Sequence, residues 1–359
     1  MAEFKGYSEA DVKHPATLTN FLAASQRVNP GKGDFCSVMG AIQTSCKIIS
    51  RAVHRAGVDD LQGSTDEVNV QGEIVKRLDI LSNETLIHAL SNSGQLCLGA
   101  SEENEDVIRP EAHLSGEFVV AFDPLDGSSN IDAGVNVGTI FGVYRRISDS
   151  GPDGKAPGEL LDVLQPAKNL IAAGYAMYGA STILVLATRA TGVNGFTLDT
   201  GIGEFIMTHP KMTIPQRGRV YSCNEGNVEY WDSPTRLYIA RCKEAADGKK
   251  PYSLRYIGTM VGDVHRTLCY GGIFMYPADK TSGEGKLRYL YECGPMGFVL
   301  ELAGGRASTG KVDTSTGKVD ICDLVPTGLH MRAPIFLGSR LDVDDVDAGY
   351  REQGSPSSN

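Results

Sequence analysis

Within eleven residues, Phe122-Asp123-Pro124-Leu125-Asp126-Gly127-Ser128-Ser129-Asn130-Ile131-Asp132, the chain sets three carboxylates, a proline and a Gly-Ser-Ser turn side by side. Carboxylates are hard oxygen ligands suited to Mg²⁺. Backbone N–H groups that follow a glycine at a turn or helix start make an anion cradle. A phosphate in that cradle would be repelled by the neighbouring carboxylates unless cations lay between them. The pattern therefore points to Mg²⁺ bridging carboxylate and phosphate. The same residues also serve as plain turn and cap residues in many chains. An EF-hand is set aside, because Pro124 stands at its second position and no alternating Asp/Asn ligands with a distal Glu follow.

Local signals predict what positions these groups. Phe118 to Phe122 is apolar enough for a buried strand, and Pro124 biases Asp123 toward extended geometry, so the strand is expected to end at Asp123. Val38, Ile42, Ile49 and Val53 predict an amphipathic helix over 36–55, stopped by Gly57. The Gly/Asp/Ser/Thr-rich stretch 57–72 reads as a mobile loop feeding a second helix through Ile74, Leu78 and Leu81. Glu73 and Asp79 lie where that loop meets the helix and, from this segment alone, read as solvent-facing charge. Strands are expected over 138–145, 172–178 and 182–187, with a domain boundary near 205–215. A helix should follow Ser233-Pro234, and Pro295 should open another over 296–302 that Gly304-Gly305 ends. The tail from 342 is acidic, then Gly/Ser/Pro-rich, and reads as frayed or disordered.

Two further acidic groups are expected at strand ends, Glu102-Glu103 after 96–98 and Glu292 after 286–291. They are surface charge unless the fold gathers them near Asp123. Arg255, Tyr256, Tyr276 and Lys286 are of types that hold a phosphate which is not transferred, and each taken singly is as well explained by packing or exposure.

The chain as a whole sets bounds. At 359 residues it forms one large or two medium domains, and chains near 300 residues bury roughly three quarters of their extended surface. An apolar content of 41 % and a charged content of 22 % are those of a soluble globular protein. A net charge of −10 argues against nucleic acid or an anionic membrane as partner. No stretch approaches the roughly 20 apolar residues of a membrane span, and the start lacks a signal-type apolar segment, so the expected location is cytoplasmic. The eight cysteines and seven histidines are scattered, with no C-x-x-C pair, which favours reduced thiols over disulfides or zinc. There is no internal repeat, Walker loop or G-x-G-x-x-G fingerprint.

Beyond the first motif, Val137-Gly-Thr-Ile-Phe-Gly142, Asn224-Glu-Gly226, Val264-His-Arg-Thr-Leu268, Tyr270-Gly-Gly-Ile-Phe-Met-Tyr-Pro277, Lys286-Leu-Arg288 and Tyr291-Glu292 follow in order. Together they resemble the class I fructose-1,6-bisphosphatases over about residues 15–340. The Asp-Pro-x-Asp-Gly core alone is shared more widely, with the inositol-monophosphatase-like superfamily. The resemblance implies an α/β fold, a layered α/β/α/β/α sandwich with two mixed sheets. It also implies an N-terminal regulatory half (1–205), a C-terminal sugar-phosphate half (206–340) and a homotetramer, and leaves the tail 341–359 outside the match.

By position, the resemblance assigns metal binding to Glu102, Asp123, Asp126, Glu292 and the Leu125 carbonyl, and water activation to Asp79 and Glu103, with Glu73 in the catalytic loop. Asp126, Gly127, Ser128, Ser129 and Arg288 would meet the 1-phosphate. Asn224, Tyr256, Tyr276, Lys286 and a neighbouring subunit's Arg255 would hold the sugar and its 6-phosphate. Two or three Mg²⁺, with Mn²⁺ as a substitute, would support in-line attack of water without a covalent enzyme intermediate.

The departures from the family pattern are specific. Its loop aspartate is Glu73 here, and a tyrosine after Asn-Glu-Gly is Asn227. At its AMP site, Gly-Thr-Gly-Glu-Met-Thr is replaced by Gly31-Lys32-Gly33-Asp34-Phe35-Cys36, and a Lys-Tyr pair by Glu117-Phe118, while Arg145 is kept. A carboxylate in place of an ammonium opposes an anion, which predicts weak or absent AMP inhibition. The stretch 148–162 has no cysteine, so the plastid redox switch is not expected and a gluconeogenic, cytoplasmic type is. The rival readings are a sedoheptulose-1,7-bisphosphatase and a catalytically weak sugar-phosphate-sensing protein.

Overall fold

The computed structural model describes residues 16–28, 34–59, 63–68, 74–151, 156–245, 250–311 and 320–354. Alternation along the strands decides the layers. In β4 (Phe118–Asp126), Phe118, Val120 and Phe122 face one core while Val119 and Ala121 face another. This strand is the second of a seven-stranded sheet, β3 (Leu96–Ser101), β4, β5 (Val137–Arg145), β6 (Ala172–Tyr178), β7 (Thr182–Thr188), β8 (Gly192–Asp199) and β9 (Glu204–His209), in that order. Only β3 and β4 run parallel; the remaining pairs are antiparallel.

The first core is closed by α1 (Leu18–Val28), α2 (Phe35–Arg55) and α3 (Arg77–Ser91), whose apolar stripes supply Leu18, Phe21, Val38, Ile42, Ile49, Leu78 and Leu86. On the opposite face lie α6 (Met260–Tyr270) and α7 (Gly294–Leu302), and below them a five-stranded sheet in the order β11 (Ser253–Leu254), β10 (Val220–Ser222), β12 (Ile273–Tyr276), β14 (Ile335–Gly338), β13 (Arg306–Ser308). That sheet is also mixed. Its outer face, through Tyr221, Ile273, Met275 and Phe336, packs on α5 (Ser233–Lys243) and α8 (Arg340–Gly354). The order of layers is helix, sheet, helix, sheet, helix, as the resemblance implies. A short hairpin, β1 (Ser64–Val68) with β2 (Ile74–Lys76), and the one-turn α4 (Leu160–Val163) complete the named elements.

Four local expectations are corrected. The strand does not stop at Asp123 but runs to Asp126, because an irregularity in the ladder with β5 absorbs Pro124. The stretch 57–72 is not wholly loop, since β1 pairs with β2. Glu292 does not end a strand: Tyr289–Cys293 is a wide π-helical turn leading into α7, and the six residues 286–291 are too few for their period to separate strand from helix.

The fourth correction concerns the acidic tail, read as disordered from 341. It is the helix α8 as far as Gly354. Val343 and Val346 are buried in it, and its acids are bound by distant arginines: Asp342 and Asp345 by Arg217, and Asp344 and Asp347 by Arg306. Composition alone does not register partners this far off, 125 residues away for Arg217–Asp342 and 38 for Arg306–Asp344.

Candidate active site

The ladder irregularity builds the site. Asp123 is paired with Ile140 and Asp126 with Gly138, so three steps on β4 answer two on β5. In a regular strand, residues three apart face opposite ways; the one extra residue of this bulge turns both carboxylates to the same face. Bulges commonly re-aim side chains in this way. Gly127 then takes φ +77°, and a Cβ there would lie 2.6 Å from Thr259 Cβ, so only glycine fits on either count. Ser128–Asn130 follows as a 3₁₀ turn, whose first N–H groups have no partner within the turn.

The third carboxylate comes from the π-helical turn. One oxygen each of Asp123, Asp126 and Glu292 lies within 4.8 Å of the others, and all three residues are buried. Asp132, although part of the motif, is not with them. It pairs with Lys76 Nζ at 2.7 Å and accepts from the Gly63 N–H at 3.0 Å. Its place in the cluster is taken by Glu292, whose Oε2 accepts from the Arg288 N–H at 2.6 Å.

Each member of the trio is tethered. Asp123 Oδ1 accepts from the Leu125 N–H at 2.9 Å. Asp126 sits at the start of α6 and accepts from Thr259 Oγ1 at 2.5 Å, the Val261 N–H at 2.7 Å and the Met260 N–H at 3.2 Å. The helix can come this close because β5 carries Gly138, where a Cβ would lie 2.6 Å from Val261. Burial, then the charges of Glu102, Asp126 and Glu292, hold Asp123 well above the usual carboxylate range. Glu292 is raised likewise, by burial and then Glu102, and Asp126 by burial against its hydrogen bonds. Gathered buried carboxylates of this kind are stabilised in their ionised form by a hard divalent cation, and the all-oxygen donor set fits one.

Around the trio stand several of the other site residues expected from the resemblance. Glu102, at the end of β3, pairs with Arg288 at 2.9 Å, both largely buried. Glu103 follows it, and the end of β3 is fastened to α3 by Ser101 Oγ donating to Asn83 Oδ1 at 2.7 Å. That bond brings Glu103 toward Asp79, in the first turn of α3. Asp79 accepts from the Lys76 N–H at 2.8 Å, and burial raises it to about 7, with the charges of Glu103 and Glu102 adding to the rise.

A cleft of about 520 Å³ opens over these groups. It is lined by Glu102, Glu103, Asp123, Leu125, Asp126, Gly127, Ser128, Ser129, Tyr256, Tyr276, Lys286, Arg288 and Glu292, and also by Lys76, Thr259 and Met260. Asn224 is not in this wall; it lines an adjoining recess with Asn227 and Tyr276, and its side chain accepts from the Gly226 N–H at 3.1 Å. Arg255 also stands outside the cleft and donates to its neighbour's carbonyl, Leu254 O, at 2.8 Å. Glu73 lies outside the described residues.

Sequence reasoning missed Thr259, Met260 and Lys76. A threonine before a helical pattern is a legible cap, but its partner is 133 residues away.

At the altered nucleotide-type position, Asp34 caps α2 through the Ser37 N–H at 3.3 Å and hydroxyl at 2.5 Å. Phe118 is fully buried, with the Phe35 ring 6.2 Å away and the Arg145 guanidinium stacked 5.1 Å above its centre. Cys36 is half-buried and its thiol is raised by burial and by Asp34; Glu117 is partly exposed beside them. Lys32 and Gly33 lie outside the described residues.

Comparison with known proteins follows the same outline. Residues 16–210 match the family described as fructose-1-6-bisphosphatase, N-terminal domain, and 214–351 its C-terminal domain. The chain is 51 % identical over 338 residues to the cytosolic fructose-1,6-bisphosphatase of Spinacia oleracea, covering 94 % of this chain and 95 % of that one. It is 52 % identical over 343 residues to the Saccharum hybrid protein of the same name, covering 95 % and 96 %. The crystal structure of Leishmania major fructose-1,6-bisphosphatase in holo form superposes with a TM-score of 0.84 at 42 % identity, over 94 % of this chain and 99 % of that one.

Proposed function

Because the chain belongs to the fructose-1,6-bisphosphatase family, we propose that it hydrolyses the 1-phosphate of fructose 1,6-bisphosphate, giving fructose 6-phosphate and phosphate in gluconeogenesis. Its relatives named cytosolic support the same location here, and none of the described helices is long and apolar enough to cross a membrane. The observation that carries the reading is the juxtaposition of three buried carboxylates with a phosphate-cradling turn in one cleft. The rival seven-carbon phosphatase and sensing-protein readings gain no support from relatives of this name and coverage.

The trio Asp123, Asp126 and Glu292, with Glu102 and the Leu125 carbonyl, is our assignment for holding two or three divalent cations, Mg²⁺ by preference with Mn²⁺ as a substitute. When bound, such a cation neutralises phosphate charge and makes a nearby water more acidic. The residues do the rest. Ser128 and Ser129 offer N–H groups to the 1-phosphate oxygens from a turn already in place, and Arg288 adds a cation at the same end. Asp79 and Glu103 share in taking one proton from the attacking water as its oxygen bonds to phosphorus, the bond between phosphorus and the C1 oxygen breaks in line with it, and the departing C1 oxygen is protonated by solvent water.

At the other end of the cleft, Lys286, Tyr256 and Tyr276 hold the 6-phosphate, with Asn224 behind Tyr276. Arg255 stands outside its own cleft and is exposed, which suits a role in a neighbouring subunit's site within a homotetramer. Glu73 keeps the catalytic-loop role assigned from the resemblance.

The test is phosphate release from fructose 1,6-bisphosphate and sedoheptulose 1,7-bisphosphate, each with Mg²⁺ and with a chelator. Mg²⁺-dependent preference for the six-carbon substrate is expected. Preference for the seven-carbon sugar, or sugar-phosphate binding without turnover, would overturn the assignment.

A further inference from the structure

The bulge that turns Asp123 and Asp126 to one face is fastened from the opposite face. Thr139 lies on β5 between Gly138 and Ile140, the partners of Asp126 and Asp123, so its side chain points away from the cleft into the core beneath α1–α3. It is fully buried. Its Oγ1 is 2.8 Å from the Pro124 carbonyl and 2.8 Å from the Tyr178 hydroxyl.

Proton counting fixes the direction of these bonds. A carbonyl only accepts, so Thr139 donates to Pro124; with one hydroxyl hydrogen, Thr139 must then accept from Tyr178. Burial raises the Tyr178 hydroxyl well above its ordinary range, so it keeps the proton it donates. The two bonds run one way, from Tyr178 on β6 through Thr139 on β5 to the bulge.

The carbonyl so held belongs to the same peptide unit as the Leu125 N–H, which points the other way across a trans bond and donates to Asp123 Oδ1 at 2.9 Å. One rigid plane therefore has the Thr139 hydroxyl at its oxygen and the Asp123 carboxylate at its nitrogen. We infer that Thr139, oriented by Tyr178, is a positioning residue for Asp123, holding its carboxylate in the ligand cluster by fixing the Pro124–Leu125 peptide plane. Without the hydroxyl, a bulge whose proline has no N–H to give the ladder is free to rotate that plane, and the carboxylate with it. This inference rests on the proposed reading of the trio as a cation site.

The experiment measures Mn²⁺ binding to the chelator-stripped full chain, without substrate, for the wild type, Thr139→Val, Thr139→Ser and Tyr178→Phe. Outer groups that orient metal ligands typically contribute about 10–100-fold in metal affinity. Thr139→Val, which keeps the shape and removes the donor, is expected to bind Mn²⁺ at least about tenfold more weakly, and Thr139→Ser to bind close to wild type. Tyr178→Phe leaves the donor but frees its rotation and should fall between them. Fructose 6-phosphate binding in chelator should not change in any variant.

Wild-type Mn²⁺ affinity in Thr139→Val, or equal loss in Thr139→Ser, would overturn the positioning role while leaving the cation site standing. Absence of Mn²⁺ binding by the wild type would remove both. Should Thr139→Val fail to fold, Tyr178→Phe carries the test, and wild-type affinity there overturns the relay.

Discussion

Asp126 accepts the Thr259 hydroxyl at 2.5 Å, fastening the end of β4 to the start of α6. The same carboxylate takes the Val261 and Met260 N–H groups, so it caps a helix while facing Asp123 and Glu292. Asp126→Ala should abolish Mg²⁺-dependent phosphate release and also cost about 1 kcal/mol of stability from the lost cap. Activity at fixed Mg²⁺ and urea melts in chelator measure the two effects separately. Near-normal turnover would remove Asp126 from the ligand set.

This double duty marks what was legible in the sequence. Asp123, Asp126, Gly127 and the two serines lie within seven residues, and short-range chemistry suffices to read a cation beside a phosphate cradle. Asp132 belongs to the same run and misleads, because its pairing with Lys76 depends on where α3 begins. The bulge that unites Asp123 with Asp126 is a property of register against β5, and no single strand's sequence carries its partner's register. Glu292 and Thr259 reach the site through a π-helical turn and a helix start, both set by tertiary packing. Strand and helix periods located single elements and the resemblance supplied their layering, whereas the acidic helix α8 was hidden by its composition until Arg217 and Arg306 were placed beside it.

Asp79 gives a pH signature. Its carboxyl is raised by burial from 3.8 to about 7, so in chelator its contribution to stability is fully present below about 4. Between about 4 and 7 the unfolded chain gives up this proton and the folded one keeps it, so that stability is lost as pH rises through the folded value. Denaturation midpoints measured against pH should show this decline, and Asp79→Asn should flatten it. In turnover, the ascending limb of kcat/KM should have an apparent pKa near 7 at low Mg²⁺ and move lower as Mg²⁺ saturates; a limb unchanged in Asp79→Asn would assign the proton elsewhere.

Asp263 governs the segment that carries Tyr256. It is fully buried, accepts from the Ile257 N–H at 3.0 Å and the Gly258 N–H at 3.1 Å, and is joined by Ser222 Oγ at 2.7 Å and Arg266 at 2.5 Å. Asp263→Asn keeps the shape but exchanges an acceptor oxygen for a donor against these N–H groups. Loss of one or two such bonds is on the order of 1–3 kcal/mol, which should appear as a rise of about tenfold in KM with kcat changed much less. A fall in kcat alone, at constant KM, would place Asp263 with the reacting phosphate instead.

AMP should inhibit weakly at the altered position. Arg145 remains, but its guanidinium is stacked on the buried Phe118 ring rather than left in solvent, and Phe35 closes against the same ring. Glu117 stands beside it, where a carboxylate repels a phosphate monoester; the energy of that repulsion falls with salt but does not change sign. Activity measured against AMP up to millimolar concentrations should therefore fall little, and the paired change Glu117→Lys with Phe118→Tyr should increase sensitivity by supplying a cation and a phenol. Tight, cooperative inhibition of the unaltered chain would mean that Lys32 and the turn at the start of α2 compose a different nucleotide pocket, one in which Arg145 leaves its stack on Phe118 to meet the phosphate.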